Sequence, residues 1–427
     1  MSRPDNKIQS MKKEMVEIAL EMLKNNNYTA TGIAATINIF KKLAEKDGFT
    51  FVDEEKYAFI EFGQGQGLVG VLNHIDVVDG WFPPYVKESK LYGRGAIDNV
   101  VQALASYFGL KSVSNSLLCR VRLFLGKCEE TTMQDLEEYL QKYECFHLSI
   151  SPDSDRGIIY AEKGNMTLEF ESLQSNEASN GAKIVLESFH SGTSVNMVPD
   201  HAIAYLTGVK VETRGSSTHS STPELGENAA VKLATILDTM QLDRNGSRFI
   251  SLISQKLSDI SGKKLGIFSN EKVLGSTTLN LGRAKYVLGE KAEVAINVRY
   301  PLNGNPHKML EVISKTMKHH GLFLKSIKHK SPHFVDPNHP FVKSLIGAIC
   351  QVTGETPDLF AIGGGTYCRK IPQTKGLSVA VGVCYQTESY NAHQQNEYIE
   401  IDDIAVCAEV VAKCALELAS IVNRDSI

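Results

Sequence analysis

Hydrophobic and polar positions along the chain fall into two rhythms. "KYAFIEFG" and "GLVGVLNH" are short apolar runs bounded by turn residues, which predicts strands. "AIDNVVQALASYFGLKSV" predicts a helix, with Asp98 as its N-cap. "CRVRLFLGKCEE" predicts a strand, "TMQDLEEYLQKY" a helix and "ECFHLSISPD" another strand. Near the start, apolar residues recur at helical spacing from about Ile8 to Leu23, the mark of an amphipathic helix. Strands and helices in this succession indicate an α/β domain.

After "AEKGN" the rhythm changes. "MTLEFESL", "GAKIVLESFHSG" and "HAIAYLTGVKVETRG" read as alternating strands in close order. A helix, "ENAAVKLATILDTM", and a strand, "KAEVAINVRYP", come next. The helix "PHKMLEVISKTMKHHG" and the strand "LFLKSIKH" complete the segment. This order suggests a smaller α+β domain of ferredoxin-like type. The first rhythm then returns with "DPNHPFVKSLIGAICQVTG", "LSVAVGVC" and the long closing helix "IDDIAVCAEVVAKCALELAS". The expected organisation is a discontinuous α/β domain, residues 1–165 and 332–427, interrupted by an inserted domain, residues 166–331.

Composition narrows the class. The 427 residues are 42% hydrophobic and 22% charged, as in an ordinary globular protein. A formal net charge of -4 argues against a nucleic-acid partner. The basic stretch "LKSIKHKSPH" is short and reads as a solvated strand edge. The N-terminal stretch has no apolar signal-peptide core, and no apolar run reaches membrane-spanning length. The eight cysteines are scattered without a C-x-x-C pair, and Cys384, Cys407 and Cys414 read as reduced core residues. A cytoplasmic protein without a membrane partner is the expectation.

Several buried-looking strands end in potential ligands. "GLVGVL" ends at His74, "VRLFLG" at Glu129 and Glu130, and "FHLSIS" at Asp153. "LSVAVGV" leads through a loop to His393, and Asp98 opens a helix. Sites in open α/β sheets gather outside the carboxyl ends of strands. Singly, each residue has a plainer explanation: a hydrogen-bonded histidine, a helix-start acid, a cap or a turn acid. Together, two imidazoles and three carboxylates suit a pair of divalent ions such as Zn or Mn. One carboxylate can bridge two ions about 3.5–4 Å apart. Glu129 is then left as general base, and Asp76 holds the His74 ring in one tautomer.

The motifs "NHIDVVDGWFPP", "LYGRGAID", "CEET", "SPD", "NMVPD", "THSSTPELGENAA", "INVRYP", "AIGGGTYCR" and "NAHQQNEYI" carry a resemblance over nearly the whole chain. In this order they resemble the co-catalytic di-metal peptidases and deacylases, and among these most of all the PepV-like dipeptidases. "SGKKLGIF" looks like part of the enlarged lid of that group. The resemblance implies a phosphorylase/hydrolase-like catalytic domain with a mixed sheet, and a lid. It places His74 and Asp153 on one metal, Glu130 and His393 on the other, and Asp98 between them. Zn or Mn is implied, with Co as a substitute in vitro. Glu129 takes the position of the family base and Asp76 that of the His-orienting acid. His219 resembles the lid histidine that polarises the scissile carbonyl. Arg299 resembles the residue that grips the substrate carboxylate, a task suited to a guanidinium fork. Gly364, Gly365 and Thr366 would offer donors near that carboxylate, and Asn196 would contact substrate or the oxyanion.

Two positions depart from the common pattern. "DNVVQA" follows Asp98 where many relatives have a Lys-Gly or similar pair, and Cys128 stands where an Asp often begins the acidic motif. The resemblance also implies a cis peptide between Asp98 and Asn99. The expected function is a dipeptidase using a two-metal-activated water on small peptides with a free C-terminal carboxylate. The alternative is an N-acyl amino acid deacylase of the acetylornithine deacetylase or desuccinylase type. A non-catalytic binding protein would have lost a ligand or the base, and all six residues are present. The large lid implies a monomer, with a dimer as the alternative.

Overall fold

A computed structural model describes residues 6–154, 157–173, 183–382 and 390–425. The chain folds into two compact units. One comprises Met1–Tyr160, Val335–Phe360 and Gly365–Ile427; the other comprises Ala161–Phe334 and Ala361–Gly364.

The first unit is built on a mixed sheet. Its central strands are parallel: Leu68–His74 pairs with Arg120–Gly126 on one side and with Leu148–Ser154 on the other. Leu377–Gly382 runs parallel to Leu148–Ser154. Thr50–Asp53 and Tyr57–Phe62 extend one edge antiparallel, and Ile158–Glu162 begins antiparallel to Leu377–Gly382. Every residue of Leu68–His74 is buried, which explains its continuous apolar run: a parallel strand is covered on both faces. One face is covered by Asn6–Lys24, Val100–Val113, Pro340–Thr353 and Ile401–Asp425, whose apolar residues form one core with the sheet. Val100 to Leu110 are all buried. On the other face Tyr57, Phe59, Phe124, Phe146 and Tyr367 form an aromatic cluster with Tyr139 of the helix Gln134–Lys142.

The second unit is an antiparallel sheet with helices. Its order is Val209–Arg214, His201–Leu206, Leu186–Ser191, Thr278–Val287, Glu293–Tyr300, Gly164–Ser172 and Leu322–Lys330. Gly164–Ser172 alternates buried and half-buried residues along its length, so one face meets the core. Gly164–Ser172, Thr278–Val287, Glu293–Tyr300 and Leu322–Lys330 lie in the 4-1-3-2 order of a ferredoxin-like fold. The other three strands are inserted before the helix Ala229–Leu237 and extend the sheet at Thr278–Val287. Leu322–Lys330 is an edge strand and mostly exposed, in line with its basic sequence.

Some elements differ from expectation. The helix Ala30–Asp47 is an element not included in the expectation, although Ile33, Ile37, Phe40 and Ala44 recur at helical spacing and it carries both end signals. Thr29 accepts the Gly32 N–H, and Gly48 ends the helix at φ 78°. Asp98 is not an N-cap: the helix begins at Val100 with Asn99 in the cap position, and neither side chain caps it. Cys407 and Cys414 are buried, whereas Cys384 lies outside the described residues.

Candidate metal centre

The parallel strands bring the expected ligands to one edge. His74 is the last residue of its strand and sits in register with Gly126. Glu129 and Glu130 follow Gly126 within a single turn. Asp153 is the penultimate residue of the neighbouring strand Leu148–Ser154, and Asp98 precedes the buried helix Val100–Val113. His393 arrives from the loop before Tyr398–Glu400.

Asp98 is the centre of the cluster. Its Oδ1 lies 3.0 Å from His74 Nε2, and its Oδ2 lies 2.7 Å from His393 Nε2. His393 Nε2 is also 2.9 Å from Glu130 Oε1, and His74 Nε2 is 3.7 Å from Asp153 Oδ1. Ligand-type atoms of His74, Asp98 and Glu130 fall within 4.8 Å of one another. The Asp98–Asn99 peptide is cis.

The electrostatics are those of crowded acids around two imidazoles. Burial lowers the basicity of His74, but Asp153, Asp76 and Asp98 more than reverse this and hold it well above the usual imidazole range. Burial likewise opposes charge on His393, yet Asp98 and Glu130 push it up to about 11. Asp98 would be raised by burial, but His393 and His74 hold it well below the carboxylate range. Burial raises Glu129, Glu130 and Asp153. Buried oxygen and nitrogen donors with excess negative charge fit divalent cations, whose charge would replace the protons held there.

The surrounding residues fix the loops. Asp76 does more than support the His74 ring. Its main-chain carbonyl contacts His74 Nδ1 at 2.8 Å, and its carboxylate pairs with the same nitrogen at 3.6 Å. The carboxylate also accepts the Glu129 and Glu130 N–H groups, each at 3.0 Å. The Asn99 side chain donates to the Pro152 carbonyl and to Asp153 Oδ1 at 2.5 and 3.3 Å, and accepts from Asn73 Nδ2 at 2.6 Å. Buried Asp135 accepts the Lys127 and Cys128 N–H groups and the Tyr367 hydroxyl. Sequence reasoning misses Asn99, Asp135 and Tyr367. Tyr367 lies inside a motif and Asn99 directly follows one, but nothing in their residue type marks their partners.

The Glu129 carboxylate makes no hydrogen bond to any described residue, although Glu129 is only 8% exposed. Burial is the largest cause of its raised pKa. Such a group is suited to holding and releasing a proton.

The other expected residues lie elsewhere in the chain. His219, Asn196, Arg299 and Gly364 belong to the second unit, Gly365 and Thr366 to the first. Ser220 links three of them: its N–H donates to the Asn196 carbonyl at 2.8 Å, its hydroxyl accepts from Arg299 Nη2 at 3.3 Å, and it follows His219 directly. Arg299 is buried, with Nε on Asn297 Oδ1 at 3.1 Å and Nη1 on the Gly363 carbonyl at 2.5 Å. The His219 ring contacts the Ser221 hydroxyl at 2.7 Å through Nδ1. Thr366 accepts the Cys368 N–H and caps the short helix Tyr367–Lys370. The Arg369 guanidinium occupies the space beside Gly365 that a Cβ would enter.

Residues 70–417 match the family described as Peptidase family M20/M25/M40, and the chain belongs to it. It is a hydrolase. It is 35% identical to the Bacillus subtilis (strain 168) protein named "Putative dipeptidase YtjP", over 91% of each chain. Among solved structures it resembles the M20 family metallo-carboxypeptidase Sso-CP2 from Sulfolobus solfataricus, with a TM-score of 0.63 at 20% identity, covering 96% of this chain and 99% of that one. It also resembles the Bacillus subtilis YXEP protein, described as a dinuclear metal binding peptidase, with a TM-score of 0.54 at 12% identity, covering 97% and 99%.

Proposed function

We propose that this hydrolase is a metal-dependent dipeptidase acting on small peptides with a free C-terminal carboxylate. The observation that carries the metal reading is Asp98, whose two oxygens each face a different imidazole. A carboxylate so placed suits a bridge between two divalent ions. His74 and Asp153 would hold one ion, Glu130 and His393 the other. When bound, Zn or Mn ions supply Lewis-acid polarisation of the amide carbonyl and lower the pKa of water.

The chain's own residues do the rest. Glu129 takes a proton at its carboxylate and returns it to the leaving amine, a role its burial and lack of a hydrogen-bond partner support. Asp76 keeps Glu129 and Glu130 in place through their N–H groups. Arg299 binds the substrate carboxylate; its fork is held in position by Asn297 and Ser220. His219 donates to the carbonyl oxygen as charge develops there. Asn196 and the Gly364, Gly365 and Thr366 turn complete the substrate contacts.

The dipeptidase assignment draws on the relative's name and on the sequence resemblance. A cytoplasmic monomer belongs to the same reading. Among the described residues seven cysteines are free thiols, and no described helix is long and apolar enough to cross a membrane. The test is turnover by metal-reconstituted protein on a panel of dipeptides and N-acyl amino acids. Dipeptides should be hydrolysed faster; faster turnover of N-acetyl substrates would make it a deacylase. Light scattering, with a mixture of His219→Ala and native chains, tests the monomer.

A further inference from the structure

Glu397 is fully buried and lies four residues after His393. Its Oε1 accepts three main-chain N–H groups, those of Gly95 and Ile97 at 3.0 Å and Asp98 at 3.2 Å. Its Oε2 accepts from Arg94 Nη1 at 2.6 Å, and its own carbonyl accepts the Gly93 N–H at 3.0 Å. Five contacts therefore tie this one residue to the segment 93–98, and the last of that segment is Asp98.

The loop that Glu397 anchors has little regular support of its own. Asn391, His393 and Asn396 all have positive φ, at 57°, 62° and 60°. Left-handed backbone at non-glycine residues is unfavourable and persists only where surrounding contacts determine it. Convergent N–H groups around a buried carboxylate supply such contacts, since their dipoles all favour the charge they surround. One side chain thereby joins the segment ending at Asp98 to the loop carrying His393, whose side chains meet at 2.7 Å.

We propose that Glu397 is a positioning residue that sets the spacing of Asp98 and His393, and so governs the second cation position, formed by Asp98, Glu130 and His393, more than the first. The inference rests on the two-ion reading above. His74 is in register with Gly126 at the end of its strand and Asp153 lies in the next strand of the same sheet, so the first position takes these two ligands from the sheet and shares only Asp98 with the segment that Glu397 holds. The second position draws His393 from a loop instead. Partners that orient ligands typically change metal affinity or activity by about 10–100-fold when removed.

The experiment is equilibrium dialysis of the metal-free full chain against Zn or Mn alone, for native protein and Glu397→Gln. The amide keeps one acceptor oxygen for the N–H groups but turns its NH2, a donor, toward the donating Arg94. Native protein should bind two ions. Glu397→Gln should keep the tighter site within about threefold and lose about 10–100-fold at the weaker one. Its kcat should recover as metal is raised, with KM little changed. Arg94→Lys, which keeps the charge and withdraws a contact, should shift the same site in the same direction by a smaller factor. It also serves if Glu397→Gln fails to fold. Two ions bound by Glu397→Gln at native affinities overturn the proposal. So does an equal loss at both sites, or a lowered Tm without recovery of kcat in excess metal. Fewer than two ions on the native chain would instead overturn the underlying two-ion reading.

Discussion

The Asp76 carboxylate accepts the main-chain N–H of Glu129 at 3.0 Å. The other oxygen of Asp76 takes Glu130 in the same way. One acid therefore holds the proposed base and a proposed ligand, while its main-chain carbonyl steadies His74. Asp76→Ala should lower kcat about 10–100-fold and weaken metal binding without abolishing it. His74→Ala should remove one ion and nearly all hydrolysis. Metal stoichiometry beside steady-state kinetics distinguishes the two.

Glu129 should separate chemistry from binding. Glu129→Gln keeps the shape and removes the proton acceptor. The expected loss is about 10²–10⁴-fold in kcat, with KM and bound metal near native values. A variant with native kcat would assign the proton to another group.

Gly126 ends the strand next to His74, and a Cβ there would fall 1.7 Å from the Tyr367 hydroxyl and 2.6 Å from Asp135 Oδ2. Both atoms belong to buried side chains that are hydrogen-bonded to each other. Gly126→Ala should therefore displace the Asp135–Tyr367 pair and loosen the turn that presents Glu129. Overpacking of this kind costs about 1–3 kcal/mol. A lowered Tm together with lowered kcat is expected; a native Tm would show that the pair yields freely.

Asp403 gives stability a pH dependence away from the metal cluster. Burial pushes its carboxyl up to about 6, although the Tyr390 hydroxyl donates to it at 3.1 Å. The folded state thus holds the proton more tightly than the unfolded chain, where the pKa is about 4. Stability from this group is fully present below about pH 4 and falls as pH rises through about 6. Asp403→Asn should raise stability at pH 8 by up to about 3 kcal/mol and leave it unchanged near pH 4. Urea midpoints at the two pH values read the difference.

The strands that carry ligands are legible in the sequence because parallel, doubly covered strands need unbroken apolar runs. "GLVGVL" ending on His74 is one such run. The same logic brings His74, Glu130 and Asp153 to neighbouring strand ends. What the sequence conceals is the use of main-chain groups. Beside its contact with the imidazole, the Asp76 carboxylate accepts two N–H groups that residue type does not reveal. Asp98 reads as a cap because caps and bridging ligands use the same short acid. Glu397 sits inside a motif without a visible role, since its partners lie some 300 positions earlier. Ala30–Asp47 is legible in principle, since Ile33, Ile37, Phe40 and Ala44 recur at helical spacing and Thr29 and Gly48 mark its ends.

The most direct test of the central claim is titration of metal-free protein with Zn or Mn, following bound ions and dipeptide hydrolysis together. No hydrolysis without metal, and activity that rises as a second equivalent binds, is the predicted result. Full dipeptide hydrolysis by protein stripped of metal, or metal binding that leaves every dipeptide and N-acyl amino acid intact, would contradict it.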